Sequence, residues 1–278
     1  GKNLTFFSVS TDGRICNWQI IKGSIILATT MRLVKPEEGD EIGTGGPRDA
    51  KLSVLSGGTC FAFNPRHEYL FVSGTDDGLL HLCSKAYTNH YLATFRRSHS
   101  MPVYRIAWNE WNTDIFLTAS EDWTVKLWDR HRTHAPITSF DLGVATEDVA
   151  WSPHTCCVFA VATQDGKVRV YDLSQNKYDP VCVQQVTRRA KLTRLAFNKN
   201  SPILLVGDDE GKVRCFKLSP NLRQLVHIEQ PKPKPGQPPP VPYTEDEITK
   251  LRREAELKKL TAFIERAIKS NKAAGLET

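Results

Sequence analysis

The chain has 278 residues, 40% of them hydrophobic and 24% charged, with seven cysteines and a net charge of +6. That is the balance of a folded globular protein with enough apolar residues for a sizeable core. No run approaches the ~18 apolar residues of a membrane-spanning helix, so no membrane partner is expected. The positive charge permits an acidic partner without demanding one.

Alternation and turn residues predict strands from the start of the chain. Residues 4–9, 15–20 and 25–31 form a first group whose innermost strand is missing. An unpaired sheet edge is a hazard that proteins avoid, so further units are expected upstream. Residues 35–51 are acidic, glycine-rich and bounded by proline, and read as a surface loop inserted between groups. Residues 60–63, 69–73, 79–83 and 91–95 make the second group, and 103–108, 115–119, 124–128 and 137–140 the third. Residues 148–151, 158–163, 167–171 and 181–186 make the fourth. The fifth has 192–197, 203–206 and 212–218, with 225–228 as its outer strand. Residues 230–243 carry prolines too dense for a sheet and predict an extended spacer. Residues 244–272 then predict a helix, opened by the capping box Thr244-Glu245-Asp246-Glu247. Its apolar stripe, Leu257, Leu260, Ile264, Ala267 and Ile268, needs a docking surface, either on the preceding sheets or on another protein.

The third strand of each group opens on the same turn. Asp12-Gly13, Asp77-Gly78, Asp122-Trp123, Asp165-Gly166 and Glu210-Gly211 recur at intervals of 65, 45, 43 and 45 residues. The third copy reads SEDWTVKLWD from Ser120 to Asp129. Four short strands with a period near 40–45 residues resemble the blade of a WD40 β-propeller. The expected fold is therefore all-β: the C-terminal part of a WD40 propeller over 1–229, about four complete blades plus a partial one, then the linker and an amphipathic α-helix. Blades of this type are often locked by a buried relay of His, Ser or Thr, Asp and Trp. His99, Ser120, Asp122 and Trp128 have the required types and order, which makes His99 structural and not a catalytic base. Such a set is tolerable in a core only when every member is satisfied.

Catalytic and ligand signals are weak. Gly43-Thr44-Gly45-Gly46 lacks the GK[ST] ending of a phosphate loop, and His131 and His134 have no cysteine or acid ligands beside them. Asp208-Asp209-Glu210 reads as a solvated turn. No GxSxG or HExxH occurs, no CxxC is present, and the cysteines read as reduced core thiols. No enzyme activity, cofactor or metal is expected. Arg96-Arg97 and Arg188-Arg189 precede inner strands and so belong to one face. Trp123 replaces the usual turn glycine, where a bulky aromatic suits an interface anchor. Arg96, Arg97, Trp123, Arg188, Arg189, Leu257, Leu260, Ile264 and Ile268 are the candidate partner-binding residues.

Words outside the blade pattern carry a narrower resemblance. Gly58-Thr59-Cys60-Phe61, Gly74-Thr75, Cys83-Ser84-Lys85, Asp122-Trp123-Thr124-Val125-Lys126, Asn176-Lys177-Tyr178 and Val206-Gly207-Asp208-Asp209, running on to Lys217-Leu218-Ser219-Pro220-Asn221-Leu222, resemble the axonemal dynein intermediate chains. The match is to the outer-arm intermediate chain 1 type. It covers roughly residues 52–223 and leaves out the proline arm and helix. It implies a non-catalytic motor subunit of the ciliary or flagellar axoneme. Its implied partners are the dynein heavy-chain tail, a second intermediate chain, light chains bound through a separate N-terminal region, and the doublet microtubule indirectly. The other reading is a generic WD40 scaffold, or a direct microtubule or nucleic-acid binder using the basic clusters. Those clusters lack interleaved aromatics, which argues against nucleic acid.

Overall fold

The computed structural model describes residues 4–35, 55–87, 91–95, 98–223, 226, 228 and 243–273. Most of the expected inserted loop, the proline arm, and Arg96 and Arg97 lie outside the described residues.

Among the described residues, eighteen strands make five antiparallel sheets, each a meander of consecutive strands. The first contains β1 (Leu4–Val9), β2 (Arg14–Ile21) and β3 (Ser24–Arg32). The second runs β4 (Gly58–Phe63), β5 (Leu70–Thr75), β6 (Leu80–Ser84), β7 (Ala93–Phe95). The third is β8 (Val103–Trp108), β9 (Ile115–Ser120), β10 (Thr124–Asp129), β11 (Thr138–Asp141). The fourth is β12 (Thr146–Trp151), β13 (Val158–Thr163), β14 (Lys167–Asp172), β15 (Cys182–Gln185). The fifth has β16 (Leu192–Phe197), β17 (Ile203–Asp208) and β18 (Val213–Lys217). The inner strands lie side by side, β4 against β8, β8 against β12 and β12 against β16. This is the blade order of a β-propeller. No fourth strand closes the fifth sheet among the described residues; Leu225, in the expected outer strand, lies outside them.

The second strands β5, β9 and β13 are buried at every position. A strand covered on both faces needs a near-continuous apolar or small-residue run, which is what LFVSGT, IFLTAS and VFAVAT provide. Separate core clusters fill the gaps between neighbouring sheets. The same hydrogen bonds recur at successive inner-strand interfaces. Trp108 Nε1 reaches back to Ala62 O and Trp151 Nε1 to Ala107 O, both at 3.0 Å. Asn64 Nδ2 reaches forward to Thr113 O at 2.6 Å and Asn109 Nδ2 to Cys156 O at 3.0 Å. Each inner strand also shifts register at the same place, at Gly58/Cys60, Val103/Arg105, Thr146/Asp148 and Leu192/Arg194. A bulge in this position adds twist where the blades crowd together.

The first sheet packs one face on the second through Ile15, Met31 and Phe7. Its other face leaves Leu4, Phe6, Ile20, Ile25 and Leu27 exposed. Helix α1 (Glu245–Ala273) begins where its capping box predicts: Thr244 N–H donates to Glu247 Oε2 at 2.9 Å, and Glu247 N–H to Thr244 Oγ1 at 3.4 Å.

Candidate functional site

The third blade carries the relay. Trp128 Nε1 lies 3.1 Å from Thr118 Oγ1, His99 Nε2 2.7 Å from the same oxygen, and His99 Nδ1 2.9 Å from Asp122 Oδ2. An indole N–H only donates and an ionised carboxylate only accepts, so the direction is fixed. Trp128 donates to Thr118, Thr118 to His99 Nε2, and His99 Nδ1–H to Asp122. The sequence placed Ser120 in this relay, and the structure corrects that to Thr118. The two hydroxyls share a face of β9, but Thr118 is two residues nearer Trp128. Ser120 instead lies at the strand end, where it donates to Met101 O at 3.1 Å and accepts from Asp122 N–H at 3.2 Å. Asp122 caps its own turn by accepting from Thr124 N–H and Oγ1 at 3.1 and 2.6 Å.

Burial pushes the His99 pKa down, against the pull of Asp122, so the ring is a neutral imidazole near pH 7. Burial also works against the Asp122 charge, but the hydrogen bonds from His99, Thr124 and Ser100 outweigh it and hold its carboxyl below the usual range. In the second blade, burial alone pushes His81 down to about 3. Its Nδ1 faces Thr94 Oγ1 at 3.0 Å, its ring stacks on Tyr91 at 4.1 Å, and its Nε2 has no hydrogen-bond partner among the described residues. Both imidazoles take up a proton more readily in the unfolded chain, whose histidines titrate near pH 6.5. Their contribution to stability is therefore complete above about pH 6.5 and is lost as pH falls from there toward the folded-state values. The urea midpoint is expected to fall steadily between pH 7 and pH 5. An unchanged midpoint across that range would contradict the assignment.

Antiparallel meanders put two sets of loops at opposite ends of the blades. At one end are the turns into each third strand and the connections to the next blade. Trp123 lies here, 55% exposed, with φ +69°. The equivalent residues of the other blades are Gly13, Gly78, Gly166 and Gly211, all with positive φ. At Gly166 a Cβ would sit 2.1 Å from Thr187 O, so glycine is obligatory there on two counts. Trp123 adopts the same conformation without that clash, at the cost of strain in a left-handed region that L-residues avoid. Arg188, Arg189 and Lys191 are exposed at this end too. Neither Arg188 nor Arg189 makes an ion pair among the described residues.

The opposite end is covered by α1. Leu260, Phe263 and Ala267 enter the core between the third and fourth blades, against residues that include Ile115, Trp151, Cys156, Cys157 and Leu173. Asn271 Nδ2 donates to Ile137 O at 3.0 Å, and the Arg253 guanidinium lies 5.9 Å from the centre of the Trp111 ring. The stripe expected to meet a partner is thus turned onto the chain's own blades. Leu260 is wholly buried, Ile264 packs at the edge of the same core, and Leu257 and Ile268 are half-buried. The sequence had named Ile264 where Phe263 is the buried residue, which rotates the apolar face by one position.

A model of the WD domain, G-beta repeat, matches residues 89–129 and 132–172. The chain is 46% identical to "Dynein intermediate chain 2, ciliary" of Heliocidaris crassispina over 84% of its length and 32% of that protein's. It is 41% identical to "Dynein axonemal intermediate chain 1" of Bos taurus, with the same two shares. "Dynein, 78 kDa intermediate chain, flagellar outer arm" of Chlamydomonas reinhardtii is also 41% identical, over 80% of this chain and 32% of its own.

The chain is a homologue of the axonemal dynein intermediate chains. It spans about a third of the length of these curated relatives. In this intermediate-chain homologue the geometry of the relay is that of a lock. His99 is enclosed with both ring nitrogens engaged. Among the described residues, no group of three His, Cys, Asp or Glu side chains could hold a metal ion.

Proposed function

We propose that this chain is part of a non-catalytic intermediate-chain subunit of an axonemal dynein in cilia or flagella, and that its propeller is a scaffold for the heavy-chain tail. The homologues' names support the dynein role. The observation that carries the surface is the contrast between the two ends of the blades. One end is covered by α1, and the other displays a strained, exposed Trp123 on the same rim as Arg188 and Arg189. A bulky residue kept in a left-handed turn costs stability, and with Trp123 more than half exposed the fold recovers little of that by burying it, so its use lies in contact with something else. Pairing with a second intermediate chain, light-chain contact through sequence outside this chain, and doublet association through the assembled arm belong to the same reading. So does cover of the apolar first-sheet face by further blades of the longer protein.

Trp123→Gly is expected to stabilise the fold by about 1 kcal/mol by relieving the left-handed conformation. The same change is expected to weaken capture of the heavy-chain tail by about tenfold or more. Arg188→Glu with Arg189→Glu is expected to weaken capture without altering the melting temperature. Heavy-chain capture by the full-length protein unchanged in both variants would reject this surface. A steep salt dependence of microtubule co-sedimentation by the chain alone would favour direct lattice binding instead.

A further inference from the structure

Beneath α1, in the turn between β12 and β13, two adjacent cysteines lie side by side. Cys156 and Cys157 are 0% and 2% exposed, with Sγ atoms 3.3 Å apart. Cys156 Sγ also lies 2.9 Å from Glu256 O and 3.6 Å from Glu256 Oε2, both on the helix. Glu256 is itself 1% exposed, and its only ion pair among the described residues is with Lys259 Nζ at 2.8 Å. Both sulfurs belong to the core that receives Leu260, Phe263 and Ala267. The pair is therefore part of the seat of α1.

We propose that Cys156 and Cys157 are a dithiol oxidation site gated by α1, in which hydroperoxide converts the pair to a vicinal disulfide and α1 leaves its seat. One thiol attacks hydrogen peroxide, becomes a sulfenic acid and releases water. The neighbouring thiol then displaces the sulfenic oxygen as a second water, closing the S–S bond. Two thiol hydrogens and two electrons pass to one peroxide, and the step is reversed by a dithiol reductant.

Docked, the pair is closed to reagent. The hydrogen bond with Cys157, then burial, raise the Cys156 pKa and keep it a thiol, and the thiolate is the reactive form. Oxidation removes the S–H that faces the helix at Glu256. Closing the bond also brings the two Sγ atoms from 3.3 Å to about 2.05 Å. The Cα atoms of adjacent residues stay about 3.8 Å apart, short of the ~4.4–6.8 Å of an ordinary disulfide, so the ring that forms is strained and the turn that seats Leu260, Phe263 and Ala267 must reshape around it. Helix docking and oxidation oppose each other, and by linkage each must weaken the other to the same degree.

Full-length protein treated with hydrogen peroxide, then analysed by peptide mass mapping and amide hydrogen exchange, tests this. The peptide holding both cysteines is expected to lose two hydrogens. The amides of α1 are expected to exchange about tenfold faster or more, as for a locally opened element. Dithiothreitol should reverse both changes. Leu260→Ala, which loosens the helix, should speed oxidation, and Cys157→Ser should leave α1 protected under peroxide. The proposal is overturned if the exposed Cys182 and Cys215 oxidise while the pair stays reduced even in Leu260→Ala. It also fails if the disulfide forms and α1 exchange is unchanged.

Discussion

Replacing Trp128 with alanine is expected to cost about 3–5 kcal/mol, a large part of the stability of a marginal domain. The side chain is 0% exposed and packs edge-to-face on Phe95, with ring centroids 5.4 Å apart. Its loss leaves a cavity between the second and third blades and removes the donor that starts the relay. Trp128→Phe separates the two effects. It keeps most of the packing and leaves Thr118 short of one donor, for an expected cost of about 1–3 kcal/mol. Urea denaturation of both variants at pH 7 gives the comparison. Equal losses would mean that the hydrogen bond outweighs the cavity. The neighbouring fourth blade makes the same point by nature's own substitution. Tyr171 stands at the Trp128 position and stacks on Phe159 at 5.0 Å, and among the described residues the buried histidines are His81 and His99, neither in this blade.

Phe263→Ala is the second large effect, with an expected cost of about 3–5 kcal/mol to the docked state. The side chain is 3% exposed and sits in the same core as Leu260 and Ala267. The loss should appear as release of α1 rather than as global unfolding. Three other core clusters between the sheets contain no residue of α1 among the described residues, and the helix follows the proline-rich segment in sequence. Hydrogen exchange is expected to show lost protection across residues 245–273 with the blades unchanged. Loss of protection in both together would mean that the helix is integral to the fold. The helix itself places a buried carboxylate, Glu256, in the seat, so its apolar residues must also offset that desolvation.

Local patterns made the blades legible. Strand alternation, the Asp-Gly turns and the four-strand period are short-range features, and they placed nearly every strand within a residue or two. The relay was legible in residue type but not in depth. Whether His99 meets Ser120 or Thr118 depends on how far the ring enters the sheet, which no spacing encodes. The helix was legible as a helix because its cap is local. Its destination was not, because the surface that receives it is assembled from Ile115, Trp151, Cys156 and Leu173, scattered over two blades. Topology assigned Arg96, Arg97, Trp123, Arg188 and Arg189 to one rim; Arg96 and Arg97 lie outside the described residues, and the structure adds the strain at Trp123.

The paired tryptophan and asparagine bonds between inner strands give the arc a mechanical character. One of each pair donates backward along the chain and the other forward, so each blade both gives and receives a bond at the interface, and parting two blades must break both. A load on one blade is therefore passed to the next through a bond in each direction.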